Sequence, residues 1–278
     1  MKIRVLWRLV LIIFAISITM GCIGWGPAPA PIDHYESEVF EEEYYMAPGS
    51  IIIIEKYIKG VLDVEGWQEQ NVNVSAMKRS LYVEGGVERI NIQVIEGDAK
   101  LEIKVDFDGD QQSLDVRMYI RVPKNVRVVN ITTSAGPVHL KHTVGNTTIE
   151  SRSGNVIVED VDGIIDVKTS NGFLNVGKTR GITSLVTSNG DMRVNVDGIV
   201  SDVEITTSNG NIVVIFAPDI KANVTATTSN GKVIIYDDIL DDVGGNASSR
   251  TGKVGGGGHQ IVITTTNADI KLFASSRP

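Results

Sequence analysis

Through the second half of the chain, apolar residues fall at the second and fourth positions after a series of glycines: Val138/Leu140, Val156/Val158, Leu174/Val176, Met192/Val194, Ile212/Val214 and Val233/Ile235. Alternation with a period of two residues marks a strand with one face buried. The leading glycines Gly136, Gly154, Gly172 and Gly190 lie 18 residues apart, and the steps on to Gly210, Gly231 and Gly252 are 20, 21 and 21. In the first three units a second glycine (Gly145, Gly163, Gly181) stands nine residues on, followed by the inward candidates Thr147/Ile149, Ile165/Val167 and Thr183/Leu185. The unit is therefore two strands and two turns.

A tetrapeptide closes four of these units: Thr169-Ser170-Asn171-Gly172, Thr187-Ser188-Asn189-Gly190, Thr207-Ser208-Asn209-Gly210 and Thr228-Ser229-Asn230-Gly231. Repeats of this length are the signature of a solenoid. Strands of one unit satisfy their backbone only by pairing with the same strand one coil away, which predicts parallel ladders stacked at about 4.8 Å. The expected fold is all-β, a parallel β-solenoid of about 18–21 residues and two strands per coil over residues 131–278. Asn and Gly suit a corner because both tolerate left-handed backbone angles. A ligand site on stacked asparagines is the competing reading.

Residues 50–130 alternate without a fixed period: Ile51 to Ile54, Val61 to Val64, Val72 to Val74, Ile90 to Ile95, Leu101 to Phe107 and Leu114 to Val122. They read as an irregular β region that caps the open end of the solenoid, because an uncapped ladder is a template for aggregation. Composition agrees with an elongated β protein: 28 Gly and only 6% aromatic residues, with Val, Ile and Thr dominating the repeats.

The N-terminus carries a different message. Lys2, Arg4 and Arg8 precede an apolar run from Leu9 to Ile18, and Gly21-Cys22 ends it. This resembles a prokaryotic lipoprotein signal over residues 1–21, with lipid attached to Cys22, and an uncleaved anchor is the alternative. Either would tether the chain to the outer face of the cell membrane. Cys22 is the only cysteine, so no disulfide braces the exported part. Residues 22–49, with Gly24 to Pro31 and the acidic run Glu36 to Glu43, read as a linker. Loss of Lys2, Arg4 and Arg8 takes the formal net charge from -8 to -11, which argues against nucleic acid as a partner.

The residues Gly66-Trp67, Val72-Asn73-Val74, Tyr119-Ile120-Arg121-Val122-Pro123 and the Thr-Ser-x-Gly coils together resemble the adhesin-like β-strand repeat proteins of the DUF4097 group. The resemblance covers most of residues 50–278. It implies an exported or membrane-tethered protein, with links to envelope stress systems in several relatives, and no catalytic residues to carry over.

Candidate chemistry is sparse. His34, His139, His142 and His259 are the only histidines; His139 and His142 are three apart in a strand and turn and face different directions. Asp106-Phe107-Asp108-Gly109-Asp110 begins like a calcium loop, yet Gln111 stands where the loop needs glycine and Arg117 where it needs the last carboxylate. Asp237, Asp238, Asp241 and Asp242 form the densest acidic cluster, in a segment that reads as a solvated loop. Sequons at Asn73, Asn130, Asn146, Asn223 and Asn246 are permissive for glycans on an exposed surface. No metal, cofactor or catalytic site follows.

On the outward positions of the later coils, Val213, Ile215, Ile234 and Tyr236 replace the polar Asn155, Asn175, Arg193 and Asn195 of earlier coils. As residues of adjacent rungs they would merge into one apolar patch, a partner surface. The competing expectation is that Gln260 to Phe273 folds back over them as a cap. The leading functional expectation is a non-enzymatic binding, adhesion-like or structural envelope module whose partner is an unidentified envelope protein or polysaccharide. An envelope-stress sensor or regulatory subunit is the alternative, and a polysaccharide-active enzyme ranks below both.

Overall fold

Inward positions occupied by Val, Ile and Leu on every second residue leave the alternate side chains for solvent, and the chain obeys this pattern through a stack of parallel rungs. A computed structural model describes residues 35–81 and 84–275. The described strands belong to one hydrogen-bonded sheet of 21 strands that winds into a parallel β-solenoid. In chain order they are β1 (Tyr35–Tyr45), β2 (Ile51–Lys56), β3 (Leu62–Trp67), β4 (Asn71–Leu81), β5 (Ile90–Glu96), β6 (Lys100–Phe107) and β7 (Leu114–Pro123). Then come β8 (Arg127–Thr133), β9 (Val138–Lys141), β10 (Thr147–Ser153), β11 (Val156–Asn171), β12 (Leu174–Asn189), β13 (Met192–Val196), β14 (Val203–Asn209) and β15 (Ile212–Phe216). The last six are β16 (Ala222–Thr228), β17 (Val233–Ile235), β18 (Asp241–Asn246), β19 (Ser249–Val254), β20 (His259–Thr265) and β21 (Ile270–Ala274).

Two ladders face each other across the core. One runs β6, β2, β8, β10, second half of β11, second half of β12, β14, β20, β16, all parallel. The other runs β7, β3, β9, first half of β11, first half of β12, β13, β15, β21, β17, also parallel. Each rung takes one strand from each ladder. The predicted core column is in place: Val156, Leu174, Met192, Ile212 and Val233 are all buried. Ile270 stands between Ile212 and Val233 in that column.

Three sequence expectations change. The acidic run read as linker is strand β1, paired antiparallel along its whole length with β4, with Tyr44 buried and Phe40 packed against the core while Val39 points to solvent. Residues 50–130 do more than cap: β2–β3 and β6–β7 are full rungs, and only β1, β4 and β5 run antiparallel over that end. Finally, Thr183 is the extra residue of a bulge, so Ile182 takes its inward place opposite Ile165.

Rung order is not chain order. β2–β3 sits between β6–β7 and β8–β9, and β20–β21 sits between β14–β15 and β16–β17. At the far end β19 runs antiparallel on β16, with β18 on β19.

The tetrapeptide corner has a physical account different from the one expected. Asn171, Asn189, Asn209 and Asn230 have no positive φ. Their side chains instead bond along the stack: Asn189 Nδ2 donates to Asn171 Oδ1 (3.0 Å), Asn209 to Asn189 (2.8 Å), Asn267 to Asn209 (2.7 Å) and Asn230 to Asn267 (2.8 Å). The glycine is needed because rungs approach closely there. A Cβ on Gly210 would lie 1.9 Å from the Gly190 carbonyl oxygen, and one on Gly190 2.0 Å from that of Gly172. In this column positive φ adds to the demand at Gly60, Gly136, Gly154 and Gly172 and not at Gly190, Gly210 or Gly231. The leading Thr points inward, and Thr207, Thr265 and Thr228 donate to the corner carbonyls of Gly190, Gly210 and Ala268.

This buried hydroxyl column ends on a charge. Lys56 is fully buried in register with Thr133, and its Nζ donates to the carbonyls of Ile58 (2.6 Å) and Gly60 (2.8 Å). Burial pushes its pKa down to about 8, against a smaller opposing pull from Asp115.

Candidate functional site

The outward face of the second ladder carries two side-chain columns through the later rungs. Arg193, Val213, Lys271 and Ile234 align in one, and Asn195, Ile215 and Phe273 in the other. Strand pairing sets these neighbours about 4.8 Å apart. Tyr236 closes the second column, its ring stacked on Phe273 with centroids 4.4 Å apart and planes 3° from parallel. Such stacks contribute about 0.5–1.5 kcal/mol beyond area burial. Tyr236 remains 38% exposed.

The four residues singled out in the sequence therefore share one face, but not as expected. Val213 and Ile234 are two rungs apart, separated by Lys271, because β21 inserts between β15 and β17. The segment Gln260 to Phe273 thus supplies a rung of the patch and does not lie over it. Phe273 went unnoticed in the sequence, although the alternation Ile270, Leu272 places Lys271 and Phe273 outward. Beside the patch runs a groove of about 370 Å³ lined by Arg193, Asn195, Asp197, Val213, Ile215 and Phe273, with Ala274 and Ser275 at its end. It offers one cation, one carboxylate and an apolar wall, a set suited to recognition by contact.

The remaining candidates fall apart as chemistry. Cys22 and His34 lie outside the described residues. His139 Nδ1 pairs with Asp63 one rung away. His142, at φ 55, stands in a corner 3.7 Å from Glu65 and 3.6 Å from Asp160. Among the described residues no three His, Cys, Asp or Glu side chains converge as metal ligands. The calcium-like turn at Asp108 to Asp110 is held by Arg89, which donates to the carbonyls of Asp108 (2.7 Å) and Asp110 (2.8 Å). In the acidic cluster, Lys253 bonds Asp242 at 2.7 Å and holds its carboxyl below the usual range.

The sequons sort by their surroundings. Asn73, Asn130 and Asn223 spend their amide nitrogens on Glu41, Thr132 and the Gly258 carbonyl. Asn146 Oδ1 caps the Ile164 amide of the next rung. Asn246 sits exposed at the β18–β19 turn, its Oδ1 accepting from Ser248 and Ser249. No helix among the described residues is long and apolar enough to cross a membrane.

A family model described as Toastrack DUF4097 matches residues 58–273. Among solved structures, a candidate adhesin from Bacteroides fragilis NCTC 9343 is 12% identical with a TM-score of 0.47, over 86% of this chain and 97% of that one. A candidate cell adhesion protein from Clostridium sporogenes ATCC 15579 is 11% identical with a TM-score of 0.40, over 87% of this chain and 100% of that one. A candidate lipid-binding protein from Parabacteroides distasonis ATCC 8503 is 10% identical with a TM-score of 0.22, over 86% and 97%. No curated protein matches the sequence.

Proposed function

The chain belongs to the Toastrack DUF4097 family, and on that premise we propose that it is a non-enzymatic, adhesin-like binding module, held at the outer face of the cell membrane by lipid on Cys22. The patch of Val213, Ile215, Ile234 and Tyr236, extended by Phe273, is its partner surface. The observation that carries this reading is the stacked Tyr236–Phe273 pair beside Ile215 and Val213, on a face that carries His139, Lys141, Ile157, Glu159, Asn175, Arg193 and Asn195 over the preceding rungs. Aromatic and aliphatic side chains grouped at a surface, with Arg193 and Asp197 at the rim, have the anatomy of a contact whose energy is concentrated in a few residues. Envelope proteins and envelope polysaccharides are the candidate partners.

The test is retention of envelope material on the immobilised protein, with extracts divided into untreated, protease-treated and periodate-treated portions. Because β1 pairs with β4 throughout, the protein used must keep residues 35–45. Val213→Glu combined with Ile234→Glu is expected to leave the melting temperature nearly unchanged and to lose retention, since both side chains point outward and the new carboxylates alternate with Arg193 and Lys271. Loss in the protease-treated portion identifies a protein partner, and loss after periodate a polysaccharide. Full retention by a folded double variant overturns the assignment of this surface.

A further inference from the structure

The rung made by β20 and β21 is last in the chain but next to last in the stack. The slot that it fills lies between two rungs already synthesised, and the two walls carry the same ladder. Ile205, Thr207, Asn209 and Ile212 line one wall, and Ala226, Thr228, Asn230 and Val233 the other. The inserted rung answers with Ile263, Thr265, Asn267 and Ile270, which join both walls in register. The walls also match each other. Without the inserted rung, Asn230 fits on Asn209 and Val233 on Ile212, as the 21-residue step from Gly210 to Gly231 implies. Skipping one whole rung keeps every inward residue inward, so a closed packing of β16–β17 on β14–β15 would bury the same side chains as the open packing that accepts the rung.

The connection into the slot is a run of four glycines. Gly255, Gly256, Gly257 and Gly258 join β19 to β20, the first three at φ 58, 87 and 94. A Cβ at Gly256 would meet nothing within 4 Å, whereas one at Gly255 would lie 2.4 Å from the Ile220 carbonyl oxygen, one at Gly257 2.8 Å from Asn223 Oδ1 and one at Gly258 2.3 Å from the Lys221 carbonyl oxygen. Lifted from these contacts, four extended residues reach about 13 Å, enough to pass from one molecule to another whose glycine corner touches it.

We propose that the β20–β21 rung is exchangeable, and that the slot between β14–β15 and β16–β17 binds the same rung of a second copy of this chain. In a reciprocal pair every ladder hydrogen bond of the rung is re-made, and Ile261, Ile263, Ile270 and Leu272 are buried again in the partner's core. Only the freedom of two chains is lost, so the exchanged form grows with protein concentration, as in domain swapping. The closed packing protects the empty slot while the rung is out.

Thr206 and Thr264 are direct partners on the outward side of β14 and β20. The experiment uses two full chains, both Cys22→Ser, one with Thr206→Cys and the other, isotopically heavy, with Thr264→Cys. They are unfolded together in urea, refolded over a range of concentrations and oxidised. Exchange yields a disulfide-linked pair of one light and one heavy chain, at least tenfold above a control pairing Thr148→Cys with Thr264→Cys, and rising with concentration. Placing both cysteines in one chain gives an internal disulfide that locks the rung and abolishes the dimer on size exclusion. Closure of that internal bond with no mixed disulfide at any concentration overturns exchange. Failure of the internal bond to close overturns the inserted rung itself, and the proposal with it.

Discussion

Replacing Lys56 by Met tests the interior of the corner. The Lys56 ammonium is fully buried and donates to two backbone carbonyls, and its pKa falls from 10.5 to about 8, mainly through desolvation. That drop corresponds to about 3 kcal/mol of unfavourable free energy carried by the charged form in the folded state. Below pH 8 both folded and unfolded chains hold the proton and the whole penalty is present. Between pH 8 and 10.5 the folded chain has released the proton while the unfolded chain still holds it, so stability rises with pH, by at most about 1.4 kcal/mol per pH unit. Lys56→Met removes the penalty, worth about 3 kcal/mol, but strands the Ile58 and Gly60 carbonyls at about 1–3 kcal/mol each. At pH 7 the two effects nearly offset. The decisive measurement is therefore the difference between urea unfolding free energies of the native and Met chains at pH 7, 8, 9 and 10. The native chain is expected to gain on the variant by about 2–3 kcal/mol across that range. Comparison with the variant cancels Tyr57 and Lys104, whose raised pKa values act at the alkaline end in both chains. Parallel curves from pH 7 to 10 refute the reasoning, as would a Lys56 titration near 10.5 followed by NMR.

Leu174 is fully buried in the central column, so Leu174→Asp is expected to cost about 3–5 kcal/mol, whereas Asn175→Asp, between Ile157 and Arg193 on the outward face, should stay within about 0.5 kcal/mol; equal losses in urea unfolding would reverse the inside and outside assignment. Gly210→Ala drives a Cβ into the Gly190 carbonyl and should cost about 3 kcal/mol or more, while Gly256→Ala meets only its positive φ and should cost about 1 kcal/mol. Similar melting temperatures for the two glycine variants would remove close approach as the reason for the corner glycines.

Much of this fold is written locally. The alternation Leu174, Val176 or Ile212, Val214 specifies which side of a strand meets the core whatever lies above or below, because side chains alternate across a strand by covalent geometry. Recurrence of Thr-Ser-Asn-Gly specifies a coil of constant girth for the same reason: corner and strand lengths are properties of one unit. Lys56 was legible too, since it continues the inward parity of Ile52 and Ile54. The resemblance carried by Gly66-Trp67 and the coils identified the family.

What the pattern of a coil does not contain is the identity of its neighbour. The slot between β14–β15 and β16–β17 receives β20–β21 because Ile261, Ile263, Ile270 and Leu272 are fully buried there between two matching rungs, the outcome of a contest among surfaces distant in sequence. Thr265-Thr266-Asn267-Ala268 hid that rung, with Ala where the other corners have Gly, although Asn267 completes the asparagine ladder. The same contest decided the candidate site. Only the inserted strand puts Lys271 between Val213 and Ile234 and lays Phe273 beneath Tyr236. Sequence thus determined the shape of each rung, through local sterics and hydrophobic parity. Tertiary structure determined their order, because any rung of matching girth can stack on any other and only the summed burial of the whole column selects one arrangement.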